Sequence, residues 1–530
     1  MTATGGTSFA YRRSPDQDRA HPAHHPVVIV GAGPVGLVLA LDLAGKGHRC
    51  VVLDRRQGPS EGSRAICWSK RTLEIMGRLG LADDLIRRGV TWKTGKVFNG
   101  TREVYSFDLQ PEAGHARPAF INLQQFHFET HCVAAAACSG LVDLRWGNEV
   151  TAVAPSARGA SLQISTPEGA YALDADWLVA ADGVQSIVRR ALGLGFEGQT
   201  FNDQFLICDV KLLIDRPTER WFWFDPPFNP GQSALLHRQA DNVWRLDFQI
   251  GADADRDEET RPENVARRVK AMLGNVDFTF EWISCYRFHC RRLARFRHGR
   301  ILFAGDAAHQ VSPFGARGGN SGIHDADNLA WKLDHVLRGL APERLIDTYD
   351  AERRQAADEN ILASTRATDF ISPKGAGARA FRDAVLGMVE TQPFARAFLN
   401  SGRLSVPTTY DGSALGTTDG FASGDTSALR PGAAAADAPL GNGWLLPALG
   451  DGFCQVSFAR GSDVSLHDPV SDDVSVLRRL TVTDETACAR YGATREPAVY
   501  LIRPDQHVAA RWRRVQPEDI GVAYRRAIVA

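Results

Sequence analysis

The chain has 530 residues, 44% of them hydrophobic and 23% charged, with 61 Lys and Arg against 62 Asp and Glu. At ~150 residues per domain this is roughly three to four domains of folded chain, which excludes a peptide hormone, a single small module and a largely disordered protein. A net charge of −1 gives no bulk attraction to nucleic acid or to an anionic membrane.

Residues 1–26 are rich in Gly, Ser, His and Arg without an apolar core, and read as a disordered leader rather than a signal peptide. The first ordered element expected is the strand Val27-Val28-Ile29-Val30, whose β-branched run suits a strand buried on both faces of a parallel sheet. Gly31-x-Gly33-x-x-Gly36 follows, with Pro34 inside the turn, then a helix from Leu37 to Gly47 and a strand from Arg49 to Leu53 that ends at Asp54. The glycines permit a tight turn and close approach to a pyrophosphate, the helix N-terminus offers N–H groups, and Asp54 can bond ribose hydroxyls. Arg55 and Arg56 read either as a 2′-phosphate contact or as surface arginines. This motif leaves FAD and NAD both open.

Helical periodicity returns over Arg71–Arg88 and Gln124–Ala137, and Trp177–Ala181 reads as a buried strand closing at Asp182-Gly183. From Phe201 to Phe280 aromatics and alternation dominate, as in Trp221–Phe224 and Val243–Phe248, which predicts antiparallel sheet. Arg300–Ala304 is again a buried strand, and Gly305-Asp306-Ala307-Ala308-His309 follows it. A carboxylate at such a strand end can accept hydrogen bonds from a polyol, and the ribityl chain of a flavin is one. Pro313 and then Gly315-Ala316-Arg317-Gly318-Gly319-Asn320 lead into a helix over Asn320–Leu337, whose N-terminus would stabilise negative charge on the flavin N1–C2=O edge. Asp325, Asp327 and Asn328 read equally as bridges or as a solvated face. Val406–Leu440 has the texture of a linker, and Gly441–Ala530 that of a small domain with strands at Leu445-Leu446, Val456–Phe458 and Ala498–Ile502. The nine cysteines show no Cys-x-x-Cys and no zinc spacing, so free thiols, a cytoplasmic location and no metal are expected. No run of ~18 apolar residues predicts a membrane span.

Taken together, Gly31-x-Gly33-x-x-Gly36, Ala181-Asp182-Gly183-x-x-Ser186-x-x-Arg189 and Gly305-Asp306-Ala307-Ala308-His309 resemble the three signature motifs of class A flavoprotein monooxygenases. These are the single-component FAD-dependent aromatic hydroxylases, and the pattern is most similar to phenol and 3-(3-hydroxyphenyl)propionate hydroxylases. The resemblance is strong over residues 27–365 and weak in the tail. It implies an α/β fold: a Rossmann-type FAD-binding domain in two parts (27–185 and 291–400) around an antiparallel substrate sheet (186–290). A linker and a thioredoxin-like domain (401–530) would follow.

Carried over residue by residue, the resemblance implies that Gly31, Gly33, Pro34, Gly36, Asp54 and Arg55 hold the ADP half of FAD. Arg64 and Gln125 would touch the cofactor, as would Asp182, Gly305, Asp306 and Pro313, and Gly318, Gly319 and Asn320 would donate backbone N–H groups to the ring. The implied reaction takes a hydride from NADH or NADPH and inserts one atom of O2 into a small aromatic, phenolic substrate through a C4a-hydroperoxyflavin. The family's phenol-deprotonating Asp falls in the register of Ala65, so that acid is missing here. Tyr286, His237 and Arg317 are the candidate catalytic residues, with Arg287 and His289 nearby in sequence. Trp221-x-Trp223 lacks the Gly and Pro context of flavin-dependent halogenases. A homodimer is part of the resemblance. Two other readings stay open: a monooxygenase of a larger natural product, acting by hydroxylation, epoxidation or Baeyer–Villiger insertion, and a non-catalytic flavin-binding protein.

Overall fold

A computed structural model describes residues 8–62, 64–156, 158–399, 404–421, 429–460 and 477–530. Strand β1 (Ala23–Val30) runs through a glycine turn into α1 (Pro34–Gly45) and back to β2 (Cys50–Asp54). The chain then forms the short β3 (Cys67–Ser69), helix α2 (Lys70–Arg78), and the hairpin β4 (Thr94–Asn99) and β5 (Arg102–Asp108). Helix α3 (Gln125–Ser139), strand β6 (Val142–Trp146), the long β7 (Gly169–Ala180) and a short α4 (Ile187–Ala191) complete the first part.

A second sheet is built from β8 (Phe196–Lys211), β9 (Arg220–Phe224), β10 (Ser233–Arg238), β11 (Val243–Ile250) and β12 (Thr279–Leu293), with α5 (Pro262–Leu273) between the last two. The chain returns through β13 (Ile301–Phe303) to the long helices α6 (Gly318–Leu337) and α7 (Leu345–Ile371) and then α8 (Gly375–Met388). The first sheet has a parallel core in the order β13-β7-β1-β2-β6, with antiparallel strands Arg297–His298 beside β13 and Gly159–Thr166 beside β7, and Glu149–Ser156 beside the latter. Both neighbours of β1 are therefore covered strands, which is why Val27, Val28 and Ile29 have no exposed surface.

The second sheet runs β12-β8-β11-β10-β9-β4-β5, and β4 joins it in parallel with β9. This sheet thus recruits residues 94–108, from outside the 186–290 segment expected for it. Strand alternation gives this sheet two buried faces. On one, Leu206, Cys208, Trp223, Leu236, Trp244, Leu246 and Phe248 pack against Val265 and Val269 of α5. Trp221 and Trp223 lie on this far side. The other face turns toward β3 and the loop before α6.

The tail forms β14 (Cys454–Phe458), β15 (Arg478–Val482), β16 (Ala498–Ile502), β17 (Val508–Trp512) and α9 (Pro517–Ala527). Its order is β15-β14-β16-β17, with β14 and β15 parallel and the other pairs antiparallel, an order consistent with the thioredoxin-like unit expected.

Three expectations need correction. Residues 8–26 are not a loose leader: Phe9 stacks on Trp146 at 5.9 Å, and Asp16 pairs with the buried Arg145 at 2.6 Å. The Arg71–Arg88 helix is two helices, broken where Gly80 takes φ +74°. Leu445-Leu446 opens a short helix, Leu445–Leu449, not a strand. In the linker, residues 422–428 lie outside the described residues. Among the described residues no helix is long and apolar enough to cross a membrane.

Candidate cofactor and substrate site

The turn after β1 shows which glycines the backbone requires. Gly31 has φ +107°, and a Cβ there would sit 2.4 Å from the Ala181 carbonyl oxygen; a Cβ on Gly36 would sit 2.0 Å from the Gly31 oxygen. Gly33 has nothing within 4 Å of its would-be Cβ, so open space lies before the N-terminus of α1, where Pro34 takes the first helical position. Asp54 accepts the Ala32 N–H at 2.8 Å and the Arg56 N–H at 2.8 Å. The Arg56 guanidinium folds back on it at 2.9 Å, whereas Arg55 is exposed, so Arg56 is the arginine that meets the acid.

Gln125, in the first turn of α3, accepts the Ala65 N–H at 3.2 Å and donates to the fully buried Glu129 at 2.8 Å. These two residues fix the loop before β3. Ser63 in that loop lies outside the described residues; Arg64 is exposed, and its carbonyl accepts from Arg245 Nη1 at 3.4 Å.

Asp182 caps α4 through Oδ2, which accepts the Ile187 N–H at 2.7 Å, while its Oδ1 is buried with no partner. Burial pushes this carboxyl above its ordinary range. Asp306, just past β13, is exposed. Next to it Gly305 and Gly322 let α6 approach α1 closely: a Cβ on Gly322 would fall 2.6 Å from Val35 Cγ2. Asp325 locks this junction, accepting the Gly305 N–H at 2.8 Å, meeting His309 Nε2 at 2.6 Å and accepting from Arg353 Nε at 2.6 Å. Burial works against its ionisation, yet His309 and Arg353 hold its carboxyl down to about 2. Asp327 pairs with Arg71 at 3.3 Å and with Arg78, and Asn328 donates to Glu352 at 2.8 Å. Asp325, Asp327 and Asn328 are all buried, so the solvated-face reading falls.

The loop before α6 is folded on itself. Ala316 N–H donates to the Pro313 carbonyl at 3.0 Å, and Arg317 donates to the Phe314 carbonyl at 3.2 Å. The Arg317 guanidinium lies over Gly315, where a Cβ would come 1.8 Å from Nη1. Burial, with Arg220 adding to it, pushes the Arg317 pKa down to about 10. The first bond into the helix is Ser321 N–H to Arg317 O at 2.7 Å, leaving Gly318, Gly319 and Asn320 as the N-terminal donors. The Asn320 side chain accepts the Ser69 N–H at 2.9 Å and donates to Cys67 O at 2.9 Å, tying β3 to this end of α6.

The cofactor-facing side of the second sheet carries the remaining candidates. His237 pairs in register with Arg245, which pairs with Asp209; Leu235 pairs with Asp247, which pairs with Ile207; Phe205 pairs with Tyr286. A cavity of about 50 Å³ lies along this face, lined by Val97, Arg220, Phe222, Phe224, Phe314 and Phe370. His237 is buried with Nδ1 3.8 Å from Cys67 Sγ, and burial, with Arg220 and Arg245 adding to it, holds its pKa well below the ordinary value. Tyr286 is half-buried on the same face. Arg287 and His289 occupy the alternate positions of β12, facing the other way; Arg287 is exposed and His289 bonds Thr200 at 2.9 Å.

Sequence reasoning passed over Asp247. Its Oδ1 is buried without a hydrogen-bond partner, as is Arg220 Nε. Burial raises the Asp247 carboxyl to about 6, with Asp209 adding to the rise and Arg245 and Arg220 opposing it.

A glycine turn with space before a helix, a carboxylate at a strand end and a second helix N-terminus beside an aromatic cavity are each suited to a part of a flavin dinucleotide. A family model described as an FAD binding domain matches residues 24–364. The chain belongs to this FAD-binding family. FAD is its cofactor, and the open space at Gly33 and the exposed Asp306 fit one.

Among relatives of this FAD-binding protein, a 3-(3-hydroxy-phenyl)propionate/3-hydroxycinnamic acid hydroxylase of Mycolicibacterium smegmatis is 31% identical over 369 residues. That match covers 69% of this chain and just under two thirds, 64%, of the relative. A probable NADH-specific resorcinol 4-hydroxylase of Rhodococcus jostii is 30% identical over 500 residues and is matched over 91% of both chains. In fold, the protein is similar to aklavinone-11 hydroxylase in complex with FAD and aklavinone, with a TM-score of 0.78 at 24% identity, covering 96% of this chain and 100% of that one.

Proposed function

We propose that the protein is an NAD(P)H- and FAD-dependent monooxygenase that hydroxylates a small phenolic ring. The observation that carries this reading is the shared loop: Phe314 and Gly315, which wall the aromatic cavity, run directly into Gly318, where α6 presents its N-terminus. A ring in the cavity would thus lie against the flavin end of the groove. The names of the two relatives, hydroxylases of a hydroxyphenyl acid and of resorcinol, support a phenol as substrate.

When bound, FAD supplies the redox chemistry, accepting a hydride from NADH or NADPH and activating O2. The chain supplies the rest. Gly31, Gly33, Pro34 and Gly36 would seat the pyrophosphate, with Asp54 at the ribose. Arg64, Gln125 and Asp182 would line the cofactor groove, with Gly305, Asp306 and Pro313 along the ribityl side. Gly318, Gly319 and Asn320 would donate to the ring's C2=O edge, where a helix N-terminus favours negative charge. Tyr286 and His237 would contact the substrate, while Arg317 braces the loop that separates ring from cavity. The phenyl walls exclude water from the reacting ring. All nine cysteines are free, which supports a cytoplasmic location.

The test is the visible spectrum of the purified protein, followed by NADH and NADPH oxidation with resorcinol, 3-hydroxyphenyl acids and other phenols. Flavin bands and oxidation that accelerates with one phenol, yielding a product with one more oxygen, support the reading. A flavoprotein indifferent to every phenol would overturn the substrate class, and a protein that cannot be loaded with FAD would overturn the whole.

A further inference from the structure

We propose that Asp247 is the base that takes the proton of the substrate's ring hydroxyl, with the Arg220 guanidinium as counter-charge to the phenoxide. This inference rests on the aromatic-hydroxylase reading and supplies the acid that is absent at Ala65.

Asp247 stands on the cofactor-facing side of β11, in the cross-strand row Phe222, Leu235, Asp247, Ile207, Ser284. Phe222 at one end of that row lines the cavity, and so does Arg220, two residues before it on β9. The neighbouring arginine, Arg245, is committed elsewhere: it donates to Asp209 at 2.7 and 2.8 Å. Asp247 Oδ1 and Arg220 Nε are both buried without a hydrogen-bond partner, and these two side chains make no ion pair with each other. An acceptor and a donor left unmatched on one enclosed face are groups that a ligand hydroxyl would satisfy.

Five groups face Asp247: Arg245 on its own strand, Asp209 on β8, Arg220 on β9, His237 on β10 and Cys67 on β3. His237 is the competing base. Burial and two arginines hold it neutral and weakly basic, whereas burial makes the Asp247 carboxylate a stronger base than a solvated one. In the step, the phenol O–H bond breaks, its electron pair stays on oxygen, and the proton bonds to Asp247; nothing is oxidised or reduced. The phenoxide ring is the better nucleophile toward an electrophilic oxygen.

The probe is 3-nitrophenol, whose phenolate has its own absorption band and which is mostly neutral in solution at neutral pH. The FAD-loaded wild type is expected to bind it as phenolate while releasing no proton to the buffer, because Asp247 keeps it. Asp247→Asn is expected either to bind the neutral phenol or to release one proton for each phenolate bound. Arg220→Gln is expected to retain FAD and to lose the phenolate band, which gives a reading even if Asp247→Asn does not fold. For the phenol that wild type turns over, Asp247→Asn is expected to lower kcat/KM by about 100-fold or more and to abolish its acidic limb. Wild type that hydroxylates a phenol yet binds 3-nitrophenol neutral, or releases its proton, overturns this inference alone. An Asp247→Asn enzyme within about threefold of wild type, with the same pH profile, does the same. Wild type that neither binds 3-nitrophenol nor responds to any phenol overturns the proposed function, and the inference with it.

Discussion

Arg503 grips Glu352 through two hydrogen bonds, Nη1 to Oε1 at 2.6 Å and Nη2 to Oε2 at 3.0 Å, with both side chains 2% exposed. Lys332 of α6 donates to the same carboxylate at 2.8 Å, and Asp505 accepts from Arg503 Nε at 3.0 Å. Burial opposes ionisation of Glu352, yet Arg503 and Lys332 hold its carboxyl well below the usual range. The C-terminal unit is thereby pinned to α6 and α7. Removing one partner strands a buried charge, so Glu352→Ala or Arg503→Ala should lower stability by about 3–5 kcal/mol. Thermal unfolding of the FAD-loaded protein measures this; a loss under ~1 kcal/mol would show that the pair does not hold the tail.

The last two glycines of the turn should separate folding from binding. Gly36→Ala places a Cβ 2.0 Å from the Gly31 oxygen and should destabilise the protein by about 3 kcal/mol or more. Gly33→Ala meets no protein atom within 4 Å. It should leave the unfolding temperature of the FAD-free protein unchanged and weaken FAD affinity about tenfold or more, as its methyl enters the pyrophosphate's place. Calorimetry and FAD fluorescence titration distinguish the two.

Asp247 should burden stability as well as serve reactivity. Its folded pKa is raised to about 6, so the folded state holds the proton more tightly than the unfolded chain does, and stability is lost as pH rises from about 4 to about 6. Two pH units correspond to about 3 kcal/mol, reduced to about 2 because water reaches part of this half-buried carboxylate. Asp247→Asn should therefore unfold at a higher temperature than wild type above about pH 6 and at the same temperature near pH 4. Equal midpoints at both pH values would contradict the raised pKa.

Thiol chemistry reports on the site independently. Cys138 is the one exposed cysteine, and Cys67 is half-buried beside His237 with its thiol pushed up by burial to about 11. Ellman's reagent should modify one thiol rapidly and a second slowly, Cys138→Ser should remove the fast phase, and a bound phenol should slow the second. A slow phase indifferent to phenols would place the ligand away from β3.

The cofactor half of the site was legible because its instructions are local. Gly31, Gly33 and Gly36 act within one turn, and Asp306 and Gly318 lie within one strand–loop–helix stretch. The substrate half was not. Arg245, Asp247 and Gln249 alternate with Trp244, Leu246 and Phe248, a pattern that reads as one wet face and one dry face. Here that polar face is covered, burying Arg245 and Gln249 and half-burying Asp247, so an apparently solvated acid is a partly enclosed one. Tyr286 and His237 fell on the same face as Asp247, while Arg287 and His289 missed it by the parity of a single residue. The leader was misread for a similar reason: Asp16 finds Arg145 and Phe9 finds Trp146 only after the chain has folded back on itself.

Strand β13 covers the free edge of β7 by pairing Ile301 with Leu178, across the whole inserted sheet. During synthesis that edge stays open until Phe303 has left the ribosome, and the donors of Gly318–Asn320 emerge later still. The nascent chain must therefore carry a glycine turn with no completed partner for most of its growth. Loading with flavin belongs to the last part of its production, and a fragment ending before α6 would have half a cradle.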